Sequence, residues 1–567
     1  MTEKKRPEHP CEVVEGLENP QRRRVLGSMA AAGAALALGG CAGSSFDAGR
    51  GSAQPGAARD AALDAALRRH IRHVVVVYCE NRSFDHLFHD FPGLEQPLSA
   101  VPPERWLQRD RDGSVLNRLP SIPDGLVPHR QTLDGQSYQM LQGALGGLAN
   151  RPWALCTPTG APLPHGLVTS DPIHEFFRHQ MQINGGSNDG FVAWTDSGAM
   201  PMGHYADTAA NLALWRLARE YTLCDNFFMG AFGGSFLAHQ YLIAARAPSY
   251  PDADRSPAAH RIAALEDGPE GYRLKLEKSS PASAMLGSPE FTNEGALTPD
   301  FYAVSDFGPP YSPSFNVDPK NPAFADLSDG SILPPQDYDT IGDRLSAKGV
   351  DWAWYGGAWQ MALDGKGADG ISAHFPESPN FQAHHQPFNY FRRFAPGSRA
   401  RLQHLRDGGV GHAAPSNRFI ADIEAGRLPV VSFYKPQGNL NLHAGSSSIA
   451  AGDEQVAHIV AALKASPLWQ DTLLVVTVDE YGGWWDHVAP PKADRWGPGS
   501  RIPALVISPH AKKGHVEHTV YDTGSIQRFL NRRFGLDALP GIHLRDVSMR
   551  RYNGFAPGDL TEALAFD

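Results

Sequence analysis

The sequence predicts an α/β fold: a doubly wound, mostly parallel sheet with helices on both faces. Three observations carry that prediction. The runs His73-Val74-Val75-Val76-Val77-Tyr78-Cys79 and Thr472-Leu473-Leu474-Val475-Val476-Thr477-Val478 are apolar without polar alternation, as parallel strands covered on both faces must be. The second run follows a helical pattern from Glu454 to Lys464, the helix-then-strand order of such a sheet. Mixed α and β patterns then continue along the chain, with no internal repeat.

Taken in order, the first stretch reads as an address. Arg22, Arg23 and Arg24 precede Val25-Leu26 and an Ala/Gly-rich apolar segment from Met29 to Leu38, which resembles a twin-arginine export signal. Leu38-Gly39-Gly40-Cys41 reads as a lipoprotein cleavage box that would leave Cys41 lipidated, or as the surroundings of an ordinary cleavage. The expected location is the periplasm, a membrane-anchored lipoprotein or the exterior, with Cys41 as the one membrane attachment. Residues 42–69 form a linker, small-residue-rich to Ala58 with a short helix over Asp60 to Arg69, and the main domain occupies 70–567. Further strands are expected at Val350 to Tyr355, Pro429 to Tyr434 and Ile502 to Ser508. Further helices are expected at Ala210 to Tyr221, Ser235 to Ala245 and Thr523 to Phe534. Residues 268–335, rich in Pro, Gly, Ser and Asp, read as an irregular insertion or cap.

Composition narrows the function. A chain of 567 residues, 42% hydrophobic and 20% charged, is that of a soluble globular protein with a full core. A net charge of -10 without a long Lys/Arg run excludes a nucleic-acid partner, which needs a concentrated basic surface. A small phosphate ester is not excluded, because a local cation can bind it. Beyond Cys11 and Cys41, only Cys79, Cys156 and Cys224 remain, which permits at most one bridge and no CxxC metal site.

Both long strands end in polar ligands: Glu80-Asn81 after the first, Asp479-Glu480 after the second. Ligands bind at the carboxyl ends of strands in open α/β sheets, so the two pairs are expected to meet. Four oxygen-donating side chains form a set for a hard cation such as magnesium, calcium or manganese. Singly, each is as readily a helix cap or a turn residue. Gly230-Ala231-Phe232-Gly233-Gly234-Ser235 places a hydroxyl at a helix start, where free N–H groups favour a phosphate; an N-cap serine is the plainer reading. The sequence there lacks G-x-S-x-G, so a lipase-like triad is not supported. His174, the pair His384-His385, His443 and His487 lie in polar, turn-like settings, each singly a structural hydrogen-bonder. Phosphoryl transfer nevertheless needs such groups for the non-bridging oxygens and the leaving alkoxide.

These residues resemble the bacterial phosphoesterase family of phosphatidylcholine-type phospholipases C and AcpA-type acid phosphatases. The likeness lies in His73-Val74 through Asp85, Gln180 through Gly186, Tyr221 through Phe228, Asp479-Glu480-Tyr481-Gly482-Gly483 through Pro491, and Trp496-Gly497-Pro498-Gly499. Within the family, Phe232 through Leu237 and His384 through Tyr390 resemble the acid-phosphatase branch. The other branch usually carries Thr at the nucleophile position and often extra C-terminal domains. The resemblance implies an alkaline-phosphatase-like core and one divalent cation held by Glu80, Asn81, Asp479, Glu480 and the nucleophile Ser235. It implies that His174, His443 and one of the pair, His385 in preference to His384, contact phosphoryl oxygens or protonate the leaving group. His384, Asp486 and His487 are expected behind these ligands or against the substrate, and Tyr481 stands where the family often has Asn. The implied activity is hydrolysis of phosphate monoesters through a phosphoserine. The alternatives are a phospholipase C cleaving a headgroup diester and a non-catalytic, metal-stabilised surface lipoprotein.

Overall fold

Val74 to Val77 are buried at the centre of an eight-stranded sheet, where their unbroken apolarity belongs. The computed structural model describes residues 55–143, 145–268, 271–365 and 379–566, so the arginine leader, Cys41 and the first part of the linker lie outside the described residues. The strands, β1 to β8 in chain order, are His73–Cys79, Thr222–Cys224, Trp352–Gly357, Leu405–Gly409, Val431–Lys435, Thr472–Val478, Ala504–Ile507 and His515–Glu517. Across the sheet they run β4-β3-β5-β1-β6-β7-β2-β8. β4, β3, β5, β1 and β6 are parallel, β7 is antiparallel to both its neighbours, and β2 and β8 are parallel to each other. The chain is therefore α/β with a mostly parallel sheet.

Every residue of β6 is buried, so both faces of the sheet are covered. The helices used below are α1 Pro55–His70, α2 Phe84–Phe88, α3 Phe176–Ile183, α4 Ser235–Ala244, α5 Ile449–Ala465, α6 Gly524–Phe534 and α7 Pro540–Asn553. One set packs α6 against α1, α4 and α7; another packs α5 against the helices Ala213–Glu220 and Arg418–Glu424. All of α4 is buried, in keeping with an apolar surface on every side.

The helix expected from Ala210 begins at Ala213, after a 3-10 turn over Ala209–Asn211. Asp453 of α5 caps it from outside, accepting from Ala213 N at 2.7 Å and Leu214 N at 2.8 Å. Beyond a hairpin of Leu265–Gly268 with Gly271–Leu274, the described residues up to 335 hold only isolated bridges. That segment lies over the start of α4: Phe307 packs near Phe236, and its carbonyl accepts from Tyr390 Oη at 2.6 Å. Cys79, Cys156 and Cys224 are all free thiols. No described helix is long and apolar enough to cross a membrane.

Register carries the fold to the site. β1 pairs with β6 from His73↔Thr472 to Cys79↔Val478, and with β5 at Val77↔Tyr434. Glu80 and Asp479 therefore leave the sheet side by side, with Lys435 next to them.

Candidate active site

Adjacent residues of a straight strand point to opposite faces, so each polar pair needs a turn to serve one site. Asn81 supplies the first with φ 22°, a left-handed conformation that Asn tolerates better than most side chains. Gly482 supplies the second with φ 64°; a Cβ there would sit 2.1 Å from Asn81 O, so only glycine lets the two turns pack. The turns are tied by Asn81 N donating to Asp479 Oδ1 at 3.3 Å and by Gly482 N donating to Glu480 Oε2 at 2.6 Å.

The carboxylates of Glu80, Asp479 and Glu480 are fully buried, and one oxygen from each lies within 4.8 Å of the others. Ser235, the first residue of α4, enters between them: its Oγ lies 3.0 Å from Glu80 Oε2 and 3.2 Å from Glu480 Oε1, either of which can accept its one proton. The helix start adds the partial positive charge of its free N–H groups. Gly234 permits the approach of the histidine segment, since a Cβ there would meet His174 O at 2.9 Å and His174 Cδ2 at 3.1 Å.

Three further side chains complete the cluster without having been expected. Lys435, fully buried at the end of β5, places Nζ 2.8 Å from Glu80 Oε1 and 3.4 Å from Asp479 Oδ2. The signal that finds it is the same as for Glu80 and Asp479: a polar residue closing a buried strand. His239, one turn after Ser235 on α4, lies 3.6 Å from Asp479 Oδ2 and bonds through Nδ1 to Ser235 O at 2.7 Å. Asn441 Nδ2 donates to Glu80 Oε1 at 3.3 Å.

Burial opposes the ionisation of Glu80, but Lys435 outweighs it and holds the carboxyl well below the usual carboxylate range. Asp479 is pushed up to about 6 by burial and by the neighbouring Glu80 charge, and burial pushes Glu480 well above its ordinary value. Burial lowers His385 to about 3 and His239 well below the imidazole range, so both rings are neutral.

A second cluster, Asp171, His174 and His443, borders the first. His174 Nδ1 donates to Pro172 O at 2.7 Å, and Nε2 lies 3.5 Å from Glu480 Oε1. Burial disfavours the imidazolium, yet Glu480 and Asp171 override it and raise His174 to about 10. Asn81 is the member of the expected ligand set whose side chain faces elsewhere. Its Oδ1 accepts from Ala444 N at 3.0 Å, which fixes the amide orientation, and Nδ2 meets Asp171 Oδ1 at 3.0 Å and His443 Nε2 at 3.1 Å.

His385 Nε2 lies 2.6 Å from Glu80 Oε1, out of line for a hydrogen bond. His384 turns Nδ1 toward Asp306 at 3.4 Å. Asp486 and His487 lie behind the cluster and brace the chain beside it. His487 Nδ1 pairs with Asp85 Oδ2 at 2.6 Å, and Arg501 bridges Asp85 at 2.9 Å to Asp486 at 3.1 Å, all deeply buried. Tyr481 points away too, donating to Gln182 Oε1 at 2.6 Å and stacking on His179.

Three carboxylates and a hydroxyl, all oxygen and all buried, face one ammonium. Ionised, they outnumber the positive charges beside them in a buried pocket, and burial first, then the Asp479 charge, pushes Glu480 above its ordinary value. Glu80, Ser235, Asp479 and Glu480 thus fit a hard divalent cation.

Similarity to known proteins agrees with this chemistry. Non-hemolytic phospholipase C of Pseudomonas aeruginosa is 27% identical over 271 residues, 42% of this chain but only 34% of that protein's length. Phospholipase C B of Mycobacterium tuberculosis is 23% identical over 531 residues, 88% of this chain and 78% of that one. Among solved structures, an alkaline phosphatase superfamily protein from Vibrio parahaemolyticus aligns at a TM-score of 0.29, with 12% identity over 67% of this chain and 72% of that one, too distant to decide anything. The phosphoesterase family model matches residues 71–537. Since that span takes in both strand ends, the start of α4 and the segments of His174, His385 and His443, the chain belongs to the phosphoesterase family.

Proposed function

We propose that this chain hydrolyses phosphate monoesters through Ser235, as an acid phosphatase that takes one divalent cation at Glu80, Ser235, Asp479 and Glu480. The observation that carries the reading is the Ser235 hydroxyl at a helix start, within hydrogen-bond reach of two buried carboxyl groups at 3.0 and 3.2 Å. When bound, the cation lowers the proton affinity of that hydroxyl and offsets charge on the phosphoryl oxygens. Ser235 Oγ attacks phosphorus in line with the leaving alcohol, its proton passing to a carboxylate it already touches. His174, held protonated at neutral pH, gives its proton to the departing alkoxide, and water then hydrolyses the phosphoserine. His443 and Asn81 orient the non-bridging oxygens, and Lys435 and Asn441 keep Glu80 in place.

The monoester preference rests on Phe232 to Leu237 and His384 to Tyr390, which resemble the acid-phosphatase branch. The names of the relatives favour a second reading, phospholipase C activity on a lipid headgroup. An aryl phosphate and phosphatidylcholine, assayed side by side with single cations added back to metal-stripped protein, separate the two. Ser235→Ala is expected to abolish turnover of the aryl phosphate while leaving the circular dichroism spectrum unchanged; retained turnover removes Ser235 as nucleophile. The rate is expected to fall as pH rises through about 10, where His174 deprotonates, and a profile flat through that pH removes it as the acid.

A further inference from the structure

Beside α2, and apart from the carboxylate cluster, a small cavity is lined by His89, His204, Asp85, Pro152, Met202 and Trp485. His89 follows α2 and His204 ends the short strand Gly203–His204; they are 6% and 9% exposed. Their segments are fastened together: Tyr205 N donates to His86 O at 2.8 Å, and His86 Nδ1 to Gly203 O at 3.1 Å. The two rings meet edge to face with centroids 4.5 Å apart.

The hydrogen bonding sets what the rings offer. His89 Nδ1 donates to Asp90 Oδ2 at 2.9 Å, and Asp90 is itself held by Ser99 N donating to Oδ1 at 2.9 Å. In the neutral ring that bond places the proton on Nδ1 and leaves a lone pair on Nε2, the arrangement by which a carboxylate orients a metal-binding histidine. His89 Nε2 is buried with no hydrogen bond and lies 3.4 Å from Asp207 Oδ1. His204 Nδ1 is also buried without a partner. One ligating atom from each of His89, His204 and Asp207 lies within 4.8 Å of the other two. A bare acceptor facing a carboxylate, beside a second unpaired ring nitrogen, is unfavourable unless something positive lies between them.

We propose that His89, His204 and Asp207 form a second cation site, for a borderline transition-metal ion such as Zn2+. Two imidazoles and one carboxylate suit that class, whereas magnesium and calcium prefer the all-oxygen cluster. The Asp207 side chain is 57% exposed, so the remaining coordination position opens to solvent. A bound ion ties the residues after α2 to the Asp207 turn.

The test is titration of metal-stripped protein with Zn2+ by calorimetry, with metal content measured after desalting. One Zn2+ equivalent is expected to vanish in His89→Gln and in His204→Gln, and to bind at least about tenfold more weakly in Asp207→Asn. Aryl phosphate turnover with its own cation is expected to stay unchanged in all three. Copper(II) electron paramagnetic resonance adds a direct readout, with coupling to two imidazole nitrogens in the parent and one in His204→Gln. If the histidine variants fail to fold, Asp207→Asn decides alone, because its side chain is exposed. Equal Zn2+ stoichiometry and affinity in the parent and Asp207→Asn overturn the proposal and leave His89 as an imidazolium bridging Asp90 and Asp207.

Discussion

Lys435→Met removes a charge while keeping the length and apolar stem of the side chain. The ammonium it deletes is fully buried, 2.8 Å from Glu80 Oε1, 3.4 Å from Asp479 Oδ2 and bonded to Cys79 O at 3.2 Å. At an effective dielectric of about 20, attractions over those two carboxylate distances are each roughly 5–6 kcal/mol before the cost of burying the lysine is subtracted. Breaking a buried pair by removing one partner costs about 3–5 kcal/mol, because the other charge is left in a dry site. Two carboxylates are stranded here, and the variant escapes part of the penalty by protonating one. Asp479, already raised to about 6 by burial and Glu80, takes that proton. A folded pKa above the unfolded value gives stability that is present below the unfolded pKa and lost as pH rises through the folded one. The variant should therefore lie closest to the parent near pH 5 and fall about 3–5 kcal/mol below it near pH 8. Guanidinium unfolding of metal-stripped parent and variant at both pH values measures this. A deficit under about 1 kcal/mol at pH 8, or one equal at both pH values, refutes the assignment of Lys435 as the counter-charge of the cluster.

Three other outcomes follow from the geometry. Cation uptake must displace protons from Asp479, raised to about 6, and from Glu480, raised further by burial, so Mg2+ or Ca2+ affinity of stripped protein should climb between about pH 5 and 7. Calorimetry in buffers of different ionisation enthalpy should register the released protons, and a pH-independent affinity contradicts this. Gly234→Ala puts a Cβ 2.9 Å from His174 O, which should displace that segment and reduce turnover on the order of 10- to 100-fold with little change in melting temperature. Arg545→Met strands Asp494 and leaves Asp522 to Arg528 alone, each carboxylate lying 2.6 Å from the buried guanidinium it loses, and should cost about 3–5 kcal/mol in denaturant unfolding. Burial opposes the ionisation of Asp522, but Arg528 and Arg545 hold it below the usual range. Its contribution is thus present above the ordinary Asp value of about 4 and lost at lower pH, so the parent should lose its advantage over Arg545→Met as pH falls below about 4.

Apolar pattern made some of the fold legible and hid the rest. β1 and β6 were readable because every position in a doubly covered strand must be apolar, and α6 because it holds an amphipathic stripe. β2, β4 and β8 were not, since they have three to five residues, too few for a period, and Leu405–Gly409 ends Asp-Gly-Gly. α7 was missed although Pro540 opens it, because its buried face mixes Ile542 and Met549 with Arg545 and Ser548.

At the site, the same split separates convergence from continuity. Glu80, Asp479 and Lys435 come from three strands whose ends the register of β1 brings level, so one rule, polar residues closing buried strands, applies to all three. Asp486 and His487 share a motif with Asp479-Glu480, and adjacency made them look like site residues. The turn at Gly482 sends the chain away from the strand ends, however, and their side chains close on Asp85 and Arg501 instead. Asp85 stands to Glu80 as Asp486 stands to Glu480: each lies just beyond a turn that carries a cluster carboxylate, and Arg501 fastens the two together. The motif is thus two functions in series, residues that face the cluster followed by residues that hold the two turns at a fixed spacing. In a pocket where Glu80, Asp479 and Glu480 must stay within 4.8 Å of one another against their own repulsion, the second function is a condition of the first.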